Sequence, residues 1–315
     1  MYEISQKQNI IKRNLEMPVG LVNLGNTCYI NSVLQCLFRC TPLNNLLNIT
    51  NIQPSTPEQT MLKEFDDLRR LAQSGNGIVR PERFIHYIQA YARHKEISAF
   101  MHRDQNDACE FIHFLIDAFH SAYCNNESPS DPATQSRAMA AGQFQSPIMQ
   151  LFFGVHVHTV VEDVTDALLA STPEPFFLLD LPIPTPNAKL VDCLHAYLSP
   201  EKFGDWRDDA GLTHSVQRRC AFALLPSVLI LSLKQFNSDG RKDTAVVDVP
   251  ETLVIGQYTY KLTAVCVHHG GVRGGHYVAS VRHDDGWLSI DDDIVSKTNT
   301  PTKGGYCFMF LHETE

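Results

Sequence analysis

The chain changes its hydrophobic grammar partway along, and that change constrains the fold more than any other feature. Up to about Tyr123 apolar residues recur at helical spacing. Ile30, Val33, Leu34, Leu37 and Phe38 form one stripe, and Leu62, Phe65, Leu68 and Leu71 a second. Phe84, Ile85, Ile88 and Tyr91 form a third, entered through Pro81; Phe111, Phe114, Leu115, Ala118 and Phe119 form a fourth. Beyond Pro147 the apolar residues fall in short β-branched or aromatic runs punctuated by Gly, Pro and Asp. "LFFGVHVHTVVEDV", "FFLLDLPI", "SVLILSLKQF", "YKLTAVCVHH", "HYVASVRH", "WLSID" and "YCFMFLH" read as strands, with "LVDCLHAYLS" a short helix among them. Helices first and strands later predict an α+β fold with an antiparallel sheet in the second half. No internal repeat and no heptad pattern is present.

These patterns divide the chain into a polar lead-in at 1–16 and a single domain at 17–315. Within the domain, 17–124 is helical, 125–147 is a polar, proline-marked insertion loop without sustained period, and 148–315 is β-rich. The formal charge of −9 provides no basic surplus for displacing counterions from phosphates, which disfavours nucleic acid as a partner. The longest apolar stretch, Ala221 to Leu233, is too short to span a bilayer and contains Pro226. Nine cysteines, an odd number without tight pairing, predict a reduced protein of the cytoplasm or nucleus rather than a disulfide scaffold.

One of those cysteines is placed for chemistry. In "GLVNLGNTCYINSVLQCLF", Asn26 and Thr27 are good N-cap residues, which puts Cys28 in the first turn of the first helix. Free backbone N–H groups and the positive end of the helix dipole there favour a thiolate. Cys36 and Cys40 lie further along the helical pattern and read as core. A nucleophilic cysteine needs a base and the base an orienting group. His276 is the best placed of fourteen histidines, because it opens a strand behind Gly270, Gly271, Gly274 and Gly275, read as a flexible loop. The "HDDG" turn then returns the chain through "WLSID". With a two-residue turn at Asp284 and Asp285, His276 faces Asp293, Asp291 is its diagonal neighbour on the same face, and Asp292 points to the other face. Counting leaves Asp291 and Asp293 both open.

Several stretches resemble the sequence boxes of the ubiquitin-specific proteases. "GLVNLGNTCYINSVLQCLF" resembles their cysteine box and "GGHYVASVRHDDGWLSIDDDIVS" their histidine box. "DQNDACEFIHFLID", "LPSVLILSLKQF" and "YCFMFLH" resemble three further family segments, and all occur in family order from about Gly20 to Leu311. The resemblance implies a papain-like cysteine protease with a helical thumb, an antiparallel β palm and β fingers. It implies hydrolysis of the isopeptide or peptide bond after the C-terminal glycine of ubiquitin. By position it makes Cys28 the nucleophile, His276 the base, Asp291 the orienting acid, Asp292 an assisting acid and Asn23 an oxyanion-stabilising amide. It also implies that Gln105, Asp107, Glu110, Gly274, Gly275 and Tyr277 bind the substrate tail.

The departures lie elsewhere. Members of the family often hold zinc in the fingers through two Cys-x-x-Cys pairs, and this chain has no Cys-x-x-Cys. His156 and His158 share a strand face but have no evident partners nearby, so no metal and no cofactor are expected, and the fingers are expected to be reduced. Altered fingers keep open a protease for another ubiquitin-like modifier. A catalytically silent ubiquitin-binding module is a further alternative. The expected partner is ubiquitin or a ubiquitin-conjugated protein, with no nucleic acid or membrane, and the expected state is a monomer.

Overall fold

The computed structural model describes residues 17–50, 53–75, 77–124, 132–207, 210–236, 242–243, 245–271, 274–284 and 286–313. The predicted lead-in at 1–16 lies outside these residues, as does the start of the predicted insertion loop.

Each periodic stripe becomes a helix. The first, α1 (Cys28–Phe38), is buried along its whole length. Next come α2 (Thr41–Ile49), α3 (Pro57–Gln73), α4 (Glu82–His94) and α5 (Ala108–Tyr123). Thr56 caps α3 by accepting from the Gln59 N–H, and Asp107 caps α5 by accepting from the N–H groups of Cys109 and Glu110. Their apolar faces meet through Phe38, Phe65, Phe84 and Phe119, whose ring centroids lie 4.9 to 6.4 Å apart. Part of the predicted insertion loop is helical instead: α6 spans Pro132–Ala140, and α7 (Pro147–Phe152) follows. The buried side chains of Met139 and Met149 join Val155 in a small separate cluster that anchors this segment.

The β half forms two sheets. The palm has eight strands in the order β11-β10-β9-β8-β12-β6-β3, with β7 pairing on β8. These strands are β3 (Leu178–Leu181), β6 (Val228–Leu233), β7 (Thr252–Ile255), β8 (Tyr258–Gly271), β9 (Gly274–His283), β10 (Gly286–Asp291), β11 (Ile294–Thr298) and β12 (Gly305–His312). All palm pairings are antiparallel except β3 with β6, which is parallel. Strand alternation splits the core cleanly. Ile230, Ala264, Cys266, Cys307 and Met309 face the helical thumb. Leu229, Leu231, Val265, Phe308 and Phe310 face a second core closed by Leu190, Cys193 and Leu194 of α8 (Leu190–Leu198).

The fingers are a four-stranded antiparallel sheet in the order β2-β1-β5-β4. They comprise β1 (Gly154–Glu162), β2 (Leu168–Phe176), β4 (Glu201–Arg207) and β5 (Thr213–Leu224). Where reduced fingers are expected, this sheet has four strands and carries no Cys-x-x-Cys pair. All nine cysteines are free thiols. Among the described residues no helix is long and apolar enough to cross a membrane.

Candidate active site

The loop carrying Cys28 is clamped from two sides. Val22 N–H donates to Val79 O at 2.9 Å and Val79 N–H to Gly20 O at 3.1 Å, while Leu21 N–H donates to Asp292 O at 2.8 Å. Gly20 passes so close to the Asp293 backbone that a Cβ would lie 2.4 Å from it, so only glycine fits. Asn26 and Thr27 both sit at the helix start, but neither side chain caps it. Asn26, at φ 55°, donates to Arg103 O, and Thr27 Oγ1 turns back to accept from Leu24 N–H. The N–H groups of the first turn thus remain open towards the sulfur. Their pull on the thiol is real but not dominant. Burial pushes the Cys28 thiol above its ordinary range and the Asp292 charge adds to this, against the backbone N–H groups of Tyr277, Tyr29 and Cys28. Burial thus works against the thiolate that the helix start favours.

The imidazole arrives from the palm. The β9–β10 register pairs His283 with Gly286 and Ala279 with Ile290, as a two-residue turn requires. The facing of His276 by Asp293 is not realised, because β10 ends at Asp291 and a tight turn pairs Asp291 with Ile294. Asp291 is left as the diagonal neighbour, and His276 Nε2 lies 2.5 Å from its Oδ1. With Nε2 engaged as donor, Nδ1 is the nitrogen left to act as acceptor. No hydrogen bond joins the ring to the Cys28 sulfur here. Nor are the four glycines ahead of His276 a free loop: Gly270 pairs with Gly275 and Gly271 with Gly274. A Cβ on Gly275 would lie 2.2 Å from His268 Nε2, so glycine is required where this hairpin packs on its neighbour.

Asp292 does not point away from the site. Its Oδ2 lies 4.0 Å from His276 Nε2 and accepts from Asn23 Nδ2 at 2.9 Å; its Oδ1 accepts from Asn31 Nδ2 at 2.8 Å. The Asn23 amide is oriented by its own Oδ1, which accepts from the N–H groups of Gly25 and Thr27 and from the Thr27 hydroxyl. One Asn23 N–H is therefore taken by Asp292 and one remains. Asn31, which sequence reasoning passed over, also donates to Leu21 O at 3.0 Å, and Gln35 donates to Val19 O at 2.8 Å. The signal was present: Cys28, Asn31 and Gln35 form a polar stripe at i, i+3 and i+7 on a helix that is apolar elsewhere except at Ser32.

A cleft of about 390 Å³ runs past the sulfur between thumb and palm, and every tail-binding residue expected from sequence lines it. Glu110 and Gln105 are exposed there. Asp107 is fully engaged. Its Oδ1 accepts from the N–H groups of Cys109 and Glu110, and its Oδ2 from the hydroxyls of Tyr277 at 3.2 Å and Tyr306 at 2.7 Å. His268, also in the wall, is held down to about 4 by burial and by the Lys242 ammonium, 2.9 Å from its Nδ1.

The far ends of the finger strands do not offer a cysteine set for zinc. Ion pairs occupy that tip: Arg219 with Asp166 at 2.5 Å and Lys202 with Asp163 at 3.2 Å. The residues there do not fit a tip-bound zinc.

A buried sulfur at a helix start, an imidazole braced by a carboxylate, and a cleft between a helical and a β half define the class of papain-like cysteine hydrolases. Within that class the assignment is specific: residues 19–310 match the family model described as "Ubiquitin carboxyl-terminal hydrolase", and the chain belongs to that family, the ubiquitin-specific proteases. It is 27% identical to the probable ubiquitin carboxyl-terminal hydrolase 4 of Schizosaccharomyces pombe, covering 88% of this chain and 55% of that one. It is 29% identical to ubiquitin carboxyl-terminal hydrolase 12 of Salmo salar, covering 88% of this chain and 81% of that one. The chain spans about half the length of several of its curated relatives. In fold it is similar to the SAGA Ubp8/Sgf11/Sus1/Sgf73 DUB module solved with ubiquitin aldehyde. That match has a TM-score of 0.76 and 20% identity, covering 96% of this chain and 71% of that one.

Proposed function

We propose that this chain is a thiol-dependent deubiquitinase that hydrolyses the bond after the C-terminal glycine of ubiquitin. What supports the reading is the His276–Asp291 pair and the Asn23–Asp292 hydrogen bond, with the Tyr277 backbone N–H and the Asp292 charge both acting on a Cys28 thiol that lines a cleft with Gly274 and Gly275. Residues 17–315 act as one catalytic domain, with 17–124 as thumb and 148–315 as fingers and palm. The protein acts as a monomer, and its nine free thiols suit the reducing cytoplasm or nucleus.

In this reading the substrate's terminal glycines thread the cleft past Gly274 and Gly275. Glu110 is the carboxylate available to a basic substrate tail, and Gln105 and Tyr277 line the same path. Asp107 holds the wall by fixing Tyr277 and Tyr306 to the start of α5. As the tail displaces water, His276 Nδ1 takes the Cys28 proton and the thiolate attacks the glycine carbonyl carbon. The free N–H of Asn23 and the Cys28 backbone N–H stabilise the oxyanion. His276 returns the proton to the leaving amine, the acyl-enzyme forms, and a water activated by His276 releases the product. Asp291 holds the ring in the tautomer this needs, and Asp292 ties the oxyanion amide to the same turn.

Ubiquitin carrying a C-terminal electrophile tests this. Wild type becomes covalently labelled at Cys28, and Cys28→Ala loses labelling while keeping ubiquitin binding. Binding without labelling in the wild type would favour a silent module. Labelling only by a different ubiquitin-like modifier would reassign the substrate.

A further inference from the structure

The expectation that His156 and His158 lack partners is overturned by the strand register at the root of the fingers. On β1 the two residues share one face, with ring centroids 4.5 Å apart. Glu174 of β2 lies opposite His156, and Cys220 of β5 lies opposite His158. Directly opposed residues in an antiparallel pair share a face, so all four side chains project together. Donor atoms of His156, His158 and Cys220 all lie within 4.8 Å of one another. Glu174 Oε2 lies 3.5 Å from Nε2 of each histidine, so one carboxylate oxygen bridges both rings.

We propose that His156, His158, Cys220 and Glu174 form a zinc site that pins β2, β1 and β5 together at the root of the fingers. The donor set of two imidazoles, one thiolate and one carboxylate is that of a borderline-soft, four-coordinate ion, which selects zinc over magnesium or calcium. Zinc bonds of about 2.0–2.3 Å imply donor separations of roughly 3.3–3.7 Å. The donors of His156, His158 and Cys220 lie within 4.8 Å of one another and Glu174 Oε2 within 3.5 Å of both histidines, so side-chain rotation about the strands must draw all four to that spacing on binding. Two further observations point to a ligand. His158 Nδ1 is buried without a hydrogen-bond partner, although its side chain stands in a polar cluster. The Tyr197 hydroxyl, from α8, lies 3.2 Å from His156 Nδ1, where an outer partner orients a metal-bound imidazole through its second nitrogen. Binding displaces the Cys220 proton to solvent and leaves the ion coordinated by thiolate. The site lies several residues from the β1–β2 tip, so it is a different solution from a cysteine cluster at the finger ends.

The test uses the full chain with Cys28→Ala, so that the candidate nucleophile's thiol cannot contribute. After chelation and dialysis, zinc uptake is expected at one ion per chain. Cobalt substitution is expected to give tetrahedral visible bands and a thiolate-to-cobalt charge-transfer band. Adding Cys220→Ser abolishes the charge-transfer band, and adding His158→Gln weakens zinc binding more than about 100-fold, while Tyr197→Phe weakens it about tenfold. The cobalt spectrum of the parent chain reads the site even if a ligand variant folds poorly. No uptake, a cobalt spectrum without a thiolate band, or an unchanged spectrum in the Cys220→Ser chain overturns the proposal. None of these results depends on whether ubiquitin is the substrate.

Discussion

The thumb–palm seam and the fingers are built on opposite terms. In the seam, polar groups are buried or half-buried and heavily hydrogen-bonded: the Asn31 and Gln35 amides donate to backbone carbonyls, and Asp107 accepts four hydrogen bonds, although Asn31 Oδ1 is buried without a partner. In the fingers, charges stand at the surface, as in the Arg219–Asp166 pair, whose side chains are 43% and 68% exposed. Buried hydrogen-bonded groups lose the full desolvation cost when one partner is removed, whereas exposed pairs trade one solvated state for another. Substitutions at the hydrogen-bonded seam groups are therefore expected to cost more than substitutions of the exposed finger charges.

That contrast can be broken or sharpened by experiment. The largest effect is expected from Cys28→Ala, which should lower hydrolysis of a fluorogenic ubiquitin amide by on the order of 10⁴-fold or more without lowering Tm. Retained turnover would remove the seam from the chemistry altogether. Asn23→Ala should cost about 10²–10³ in kcat with KM little changed, since its amide acts on the oxyanion rather than on ground-state binding. A change confined to KM would make Asn23 a binding residue. A third test concerns His268, whose folded value of about 4 lies below the ordinary 6.5. Between those values the unfolded chain binds the proton and the folded chain does not. Stability is thus full above pH 6.5 and falls towards pH 4, by on the order of 3 kcal/mol. Urea titrations across that range should show the slope, and His268→Gln should flatten it; an unchanged slope would place the acid sensitivity elsewhere. The smallest effect belongs to the fingers. Arg219→Ala should change unfolding free energy by less than about 1 kcal/mol, and a larger loss in thermal melts would erase the distinction between the two regions.

The seam was also the more legible region. Palm strands such as "SVLILSL" and "YCFMFLH" announce themselves because both faces are buried. The β9–β10 register could be counted because a two-residue turn fixes it. What counting missed was the second turn at Asp292 and Asp293, where Asp292 adopts φ 51°; three consecutive aspartates look alike in a sequence, and only the turn separates them. The fingers hid better. Strand β2 contains Pro173 and Pro175, which argue against a central strand and are tolerated here because β2 is a sheet edge. Short α2, with only Leu43 and Leu47 buried, is too weakly periodic to read. The Cys220–His158 juxtaposition depends on a pairing across sixty residues, which no local pattern encodes.

Strand β12, late in the chain, lies in the interior of the palm between β8 and β6. Its neighbours cannot bond each other across that gap, so the sheet stays split until residues 305–312 have emerged from the ribosome. A growing polypeptide that already displays its thiol consequently lacks the assembled platform from which the imidazole is presented. Loss of those few residues by frameshift or proteolysis should thus remove activity as thoroughly as deleting the nucleophile, although they lie far from it in sequence.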